Sequence, residues 1–152
     1  PYLALARAHS EMDDHDAAVA ALEAFWRQGG YEPTSLKRLG GWLHEAGRTD
    51  DAISVFQSVN MVDPLDQELH GVLGELLLDS DRAEEALREF SIALALNPHD
   101  TATAHFRLAK AHHAMGNKAE SQQQLLLSLD VAPNYRPAQR LLLELMRADT
   151  GT

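Results

Sequence analysis

Histidines and carboxylates are the residues of this chain that could do chemistry, and their spacing decides whether they can act together. His44-Glu45-Ala46-Gly47-Arg48 begins like a zinc-protease helix, but no second His stands four residues on, so two ligands cannot share one helix face. His105 and His112 lie seven apart and could share a face, yet neither a carboxylate nor a third His stands at ligand spacing to complete a site. Asp13-Asp14-His15-Asp16 lacks the glycine and the terminal Glu of a calcium loop, and it falls where a helix start takes capping carboxylates. There is no Cys, hence no thiolate nucleophile, disulfide framework or Cys-ligated metal. A phosphate-cradling glycine loop and a nucleophile elbow are also missing. No catalytic residue, metal site or cofactor is expected, and the chain reads as a non-enzyme.

Charge narrows the partners. Thirteen Lys and Arg stand against 23 Asp and Glu, a formal charge of −10 that repels polyphosphate and argues against nucleic-acid and anionic-membrane binding. No run of eighteen apolar residues and no basic segment followed by an apolar stretch appears, so a soluble protein is expected. Cysteine usage leaves cytoplasm and periplasm equally open. The 152 residues suit one domain, which would bury roughly two-thirds of the surface of the unfolded chain. The chain opens at Pro1 inside a repeat and reads as a fragment of a longer protein.

The elements that position these residues recur. Leu5, Leu39 and Leu73 are 34 apart and Leu108 follows after 35; Ala6, Gly40, Gly74 and Ala109 sit beside them, small enough to let two helices approach. Further columns hold Ala18, Ala52, Ala86 and Ser121, then Leu22, Phe56, Phe90 and Leu125, then Pro64, Pro98 and Pro133 where the first unit has Gly30. Apolar residues within each unit fall at three- and four-residue steps, so each unit holds two helices. Gly47 and Gly116 suit left-handed turns between them, with Thr49, Asp81 and Asn117 as N-cap candidates and Glu84 and Glu120 three residues after the last two. Helices are predicted over 2–12, 16–28, 33–46, 50–61, 67–79, 83–96, 101–115, 118–131 and 137–148. A lone helical hairpin cannot bury its apolar face, so the copies must stack into a solenoid.

These columns resemble those of the tetratricopeptide repeat family, most fully where His70, Leu73, Gly74, Leu77, Ala86, Phe90, Ala93 and Pro98 stand, and nearly as well from Leu36 to Pro64. The resemblance covers residues 2 to 148. It implies an all-α, right-handed α-solenoid: a single domain over 1–152 with repeats at 1–32, 33–66, 67–101 and 102–135 and a C-terminal capping helix at 136–148. His9, His70, His105 and His112 occupy large-residue columns and read as packing residues. The sequence departs from the pattern where Asp13 and Asp81 replace the turn glycine, so those turns are expected to differ in shape. It departs again where Phe25 and Trp42 fill small columns and Gly29-Gly30 replaces a proline joint, which predicts irregular stacking there. Five of the nine aromatics, Tyr2, Phe25, Trp26, Tyr31 and Trp42, fall in the first 42 residues and read as local core repacking or, alternatively, as an exposed contact site.

By the same resemblance the first helix of each repeat lines a concave groove. Its positions carry seven cations and six anions, leaving six cations and 17 anions elsewhere, so the groove is less negative than the back. The candidate partner-binding residues are Arg7, Lys37, Arg38, His44, Phe106, Arg107, Lys110, His113 and Arg140. An aromatic among guanidinium groups suits a protein or peptide ligand with an acidic or carboxyl-terminal segment; alternatively these cations pair with Glu68, Glu75 and Glu144. The five-residue clamp by which some family members hold chaperone tails is not matched, because its columns hold Leu3, Arg7, Arg38, Glu68 and Val72, or Lys37, Gly41, Val72, Thr103 and Arg107, with no asparagine in either register. The leading expectation is a non-catalytic protein-interaction module binding a partner segment in its groove. The alternatives are a C-terminal docking appendage of a larger peptidase or transferase, and a self-assembly scaffold associating through the N-terminal end around Tyr2, Leu5 and Phe25.

Overall fold

A computed structural model describes residues 1–151; Thr152, the last residue of the expected domain and of the tail after Arg147, lies outside the described residues. Among the described residues the chain forms nine α-helices and no strand: α1 (Tyr2–Glu11), α2 (His15–Arg27), α3 (Pro33–Glu45), α4 (Thr49–Val62), α5 (Gln67–Asp79), α6 (Ala83–Ala95), α7 (Thr101–Ala114), α8 (Lys118–Val131) and α9 (Arg136–Thr150). Every helix begins and ends within two residues of its predicted bounds. The all-α helical-repeat class read from the sequence is the class observed. The helices form two compact units, Pro1–Pro64 and the chain from Leu65 onward. In the first, α1 packs on α2, α2 on α3 and α3 on α4. In the second, α5 packs on α6, α6 on α7, α7 on α8 and α8 on α9, while α5 also touches α7.

The turn inside each hairpin has one form. Asp13, Gly47, Asp81 and Gly116 all take left-handed backbone, with φ of 60°, 77°, 59° and 76°. In each case the next residue's N–H reaches back to a carbonyl five residues earlier: Asp14 to His9 at 2.9 Å, Arg48 to Leu43 at 2.8 Å, Arg82 to Leu77 at 2.8 Å and Asn117 to His112 at 2.9 Å. This is the Schellman closure, which satisfies carbonyls that a helix end would otherwise leave open. The expected difference in shape at Asp13 and Asp81 is therefore corrected: aspartate tolerates the left-handed region well enough for the same closure.

That closure also relocates the caps. The residue after the left-handed one becomes the N-cap, so Arg48 and Arg82 hold the positions expected for Thr49 and Asp81, and neither makes a side-chain cap bond. Asn117 is at the N-cap but its side chain does not cap either. Arg48 and Arg82 instead bond forward to Asp51 and Glu85, each at 2.8 Å, so Glu85 rather than Glu84 is engaged. Real carboxylate caps stand at the start of the first helix of successive hairpins: Glu32 accepts from Ser35 N–H at 2.7 Å, Asp66 from Leu69 N–H at 3.0 Å and Asp100 from Thr103 N–H at 3.0 Å. Asp14 caps α2 through Ala17 N–H, in line with the capping reading of the acidic stretch.

The hairpins are held shut by volume complementarity. A Cβ placed on Gly40 would stand 2.6 Å from the Phe56 ring, and one on Gly74 would stand 2.3 Å from the Phe90 ring. In the flanking units, at the same sixteen-residue offset, Ala6 goes with Leu22 and Ala109 with Leu125, all four buried. The first helix gives up a methyl where the second brings a ring. Leu39 and Leu73 are wholly buried beside this contact, whereas Leu5, on α1 at the start of the chain, is 49% exposed. The same logic governs the Gly29-Gly30 joint: Gly29 has φ of 77°, and a Cβ on Gly30 would stand 2.3 Å from the Phe25 ring. Phe25, large in a small column, is accommodated because no proline ring follows it.

Gly74→Ala should therefore cost about 1–3 kcal/mol of overpacking, offset in part by about 1 kcal/mol of helix propensity. Adding Phe90→Leu should restore stability to Gly74→Ala although Phe90→Leu alone destabilises. Urea unfolding of the four proteins measures this coupling, and simple additivity of the two changes would show that the ring and the missing methyl do not meet.

Candidate functional site

Four of the nine candidate residues come together in the second unit. Phe106, Lys110 and His113 lie along one face of α7 at four- and three-residue steps, and Arg140 lies on α9 with Pro137, Leu141 and Glu144 at the same kind of spacing. Together with Leu78 they line a groove of about 380 Å³. Its walls are apolar at Phe106, Leu78, Pro137 and Leu141, and its rim carries Lys110, His113, Arg140 and Glu144. Of the apolar wall, sequence reasoning named Phe106 and missed Leu78, Pro137 and Leu141; the spacing on α9 was the signal for the last two.

α7 and α9 hold the groove open in a defined way. Tyr135, the residue before α9, sets its ring edge-on to Phe106 at 5.5 Å and 82°, and its hydroxyl hydrogen-bonds with that of Thr103 at 3.2 Å. The Thr103 hydroxyl donates in turn to Asp100, the cap of α7, at 2.6 Å. Those bonds, the hydroxyl first and the Thr103 N–H second, hold the Asp100 carboxyl below the usual aspartate range. Beneath the groove Ala109, Leu125, Ala138 and Leu145 form a buried cluster on which Phe106, Leu141 and Leu142 rest.

Arg107 does not join the groove. Its Nε donates to Glu75 at 3.1 Å and its guanidinium lies against α5 where Gly71 has no side chain; a Cβ there would stand 2.7 Å from Nη1. Lys110 has two attachments: Nζ donates to the other Glu75 oxygen at 2.6 Å and sits 5.9 Å from the Phe106 ring centre. One α5 carboxylate thus neutralises two cations of α7, so the pairing alternative holds for Glu75. Glu144 remains on the groove rim.

Arg7, Lys37, Arg38 and His44 belong to the first unit and do not line this groove. Arg7 and His44 are exposed, Lys37 is half-buried, and Arg38 sits 5.9 Å from the centre of the Trp42 ring. A depression of about 250 Å³ beside Trp42 is edged by Asp16, Glu23 and Arg48 and includes none of the four. Among the aromatics of this unit, Trp26 Nε1 donates to Ser58 at 3.0 Å, Gln28 donates to the Tyr2 hydroxyl at 2.9 Å and Trp42 meets His15 edge-on at 5.2 Å, while Tyr31 is exposed. Two of the four column histidines bond across their own hairpins, His70 Nδ1 lying 2.6 Å from Glu89 and His105 Nδ1 2.8 Å from Gln124, whereas Nδ1 of His9 and of His112 is buried without a hydrogen-bond partner. Among the described residues no three His, Asp or Glu side chains gather to hold a metal ion, and no helix is long and apolar enough to cross a membrane.

Comparison with known proteins places this geometry. Three sequence models described as tetratricopeptide repeat match residues 3–59, 43–102 and 102–135. A mouse (Mus musculus) protein, superkiller complex protein 3, is 29% identical over 130 residues, 84% of this chain; the chain spans only 8% of that relative's length. Among solved structures the crystal structure of MamA superposes with a TM-score of 0.81 at 19% identity, covering 96% of this chain and 85% of that one. The first TPR of Spaghetti (RPAP3), bound to the HSP90 peptide SRMEEVD, superposes with a TM-score of 0.70 at 22% identity over 78% of this chain and 94% of that one.

Asp100 anchors the start of the groove-forming helix, so Asp100→Ala should cost about 1 kcal/mol at neutral pH. Because the folded-state pKa is lowered, the charged cap stabilises the fold above the unfolded value near 4 and the contribution disappears as pH falls through the lower folded value. The stability gap between wild type and Asp100→Ala should then narrow on acidification below about pH 4, as followed by urea unfolding across that range. A gap independent of pH would contradict the cap.

Proposed function

Because this chain belongs to the tetratricopeptide repeat family, we propose that it is a non-catalytic protein-interaction module whose ligand is an extended peptide segment of a partner protein, carrying an apolar side chain next to a carboxylate. The groove between α7 and α9 carries this reading: an apolar wall of Phe106, Leu78 and Leu141 under a rim with Arg140, Lys110 and His113. An aromatic wall supplies buried area at little entropic cost, and a guanidinium binds carboxylate through two parallel N–H bonds. The Spaghetti domain, alike in fold, is bound to an HSP90 peptide whose sequence ends in Glu-Glu-Val-Asp, which supports an acidic segment as the ligand class. The residues differ from a chaperone-tail clamp, since neither register of its columns holds an asparagine. The ligand here is therefore read by one wall and its rim.

The test is a pair of short amidated peptides, one with Leu-Glu and one with Leu-Lys in a Gly/Ser background, titrated into isotope-labelled protein and followed by amide chemical shifts. The Leu-Glu peptide should perturb signals of α7 and α9 saturably, with an affinity at least about tenfold, or about 1.4 kcal/mol, better than the Leu-Lys peptide. Equal responses to the two, or shifts confined to other helices, would overturn the assignment.

A further inference from the structure

Resting on that reading of the groove, we infer that Glu75, itself held by Arg107, is a specificity-determining residue: it withholds Lys110 from the ligand and leaves Arg140 as the group that takes the ligand's carboxylate. Three observations converge on it. Glu75 uses both carboxylate oxygens internally, one on Arg107 Nε at 3.1 Å and one on Lys110 Nζ at 2.6 Å. The pairing is built into the backbone, because the guanidinium occupies the space that any side chain at position 71 would fill. And Arg140, exposed on α9, makes no ion pair among the described residues while lining the groove.

The consequence is a counting rule for ligands. A carboxylate arriving at Lys110 meets an ammonium whose charge Glu75 already offsets and comes up against the negative charge of Glu75 itself, so it gains less there than at an unpaired cation. A carboxylate arriving at Arg140 displaces no ion-pair partner among the described residues. With the apolar side chain seated on Phe106 and Leu141, one carboxylate reaches an open partner and a second does not. The groove is thus matched to a singly acidic segment with an apolar neighbour and gains little from a run of acids. Removing the charge of Glu75 without changing its shape should open Lys110 as a second carboxylate subsite.

The experiment compares amidated Leu-Glu and Leu-Glu-Glu peptides against wild type, Glu75→Gln, Lys110→Gln and Arg140→Gln, with amide shifts as the readout and thermal unfolding to confirm that each variant folds. Wild type should bind the two peptides within about twofold of each other. Arg140→Gln should weaken both by about tenfold, and Lys110→Gln by less than about threefold. Glu75→Gln should tighten the doubly acidic peptide by about fivefold or more and leave the singly acidic one nearly unchanged. Loss on Lys110→Gln equal to that on Arg140→Gln, or weaker binding of Leu-Glu-Glu to Glu75→Gln, would overturn the inference. The second outcome would make Glu75 a positioning residue for Lys110. Should wild type bind neither peptide, the proposed function falls. Binding of Leu-Glu-Glu to Glu75→Gln alone would then still identify Glu75 as what closes the groove, and no binding to either protein would overturn both.

Discussion

The contact on which the rest depends is the meeting of a missing methyl on one helix with a ring on the next. Gly40 against Phe56 and Gly74 against Phe90 bring the two helices of a hairpin closer than any Cβ would allow. Close approach then buries Leu39 and Leu73 completely and leaves no room for alternative registers. Where the first helix carries alanine, the second answers with leucine, so each hairpin is filled by a different partition of a similar volume. Such a contact is local in sequence, and the chain can build each hairpin before the hairpins of a unit assemble.

Electrostatics are arranged around that frame rather than forming it. Carboxylates at Glu32, Asp66 and Asp100, successively 34 residues apart, cap the first helix of each of three hairpins. Arginines at Arg48 and Arg82 take the corresponding place at the second helix and bond forward to Asp51 and Glu85. The exposed pairs contribute little each, since water screens them. Their value is directional: they mark where each helix begins.

In the second unit this placement produces a surface that is apolar at its wall and selectively charged at its rim. Glu75 shows how such a surface can be tuned without touching its shape. A residue on a neighbouring helix decides which cations of α7 are already engaged. In a repeat architecture, where each helix touches only a few neighbours, one carboxylate can make that decision for a whole groove.

The period of 34 and the helical spacing within it were sufficient to place all nine helices, because hairpins of this kind are specified by contacts a few turns apart and each column repeats the same steric demand. The left-handed turns were legible at Gly47 and Gly116 for the same reason. The caps at Arg48 and Arg82 were not, since a Schellman closure shifts the N-cap by one residue and propensity alone favours Asp or Thr. The sequence could name Arg107 and Lys110 as cations of one face but could not say that both turn toward Glu75. That depends on α5 lying beside α7 and on the space at Gly71. It also could not separate Arg140 from them, because the distance between charges on different helices is set by packing. Columns come from the chain; which charges remain unmet is decided only when the helices are laid side by side.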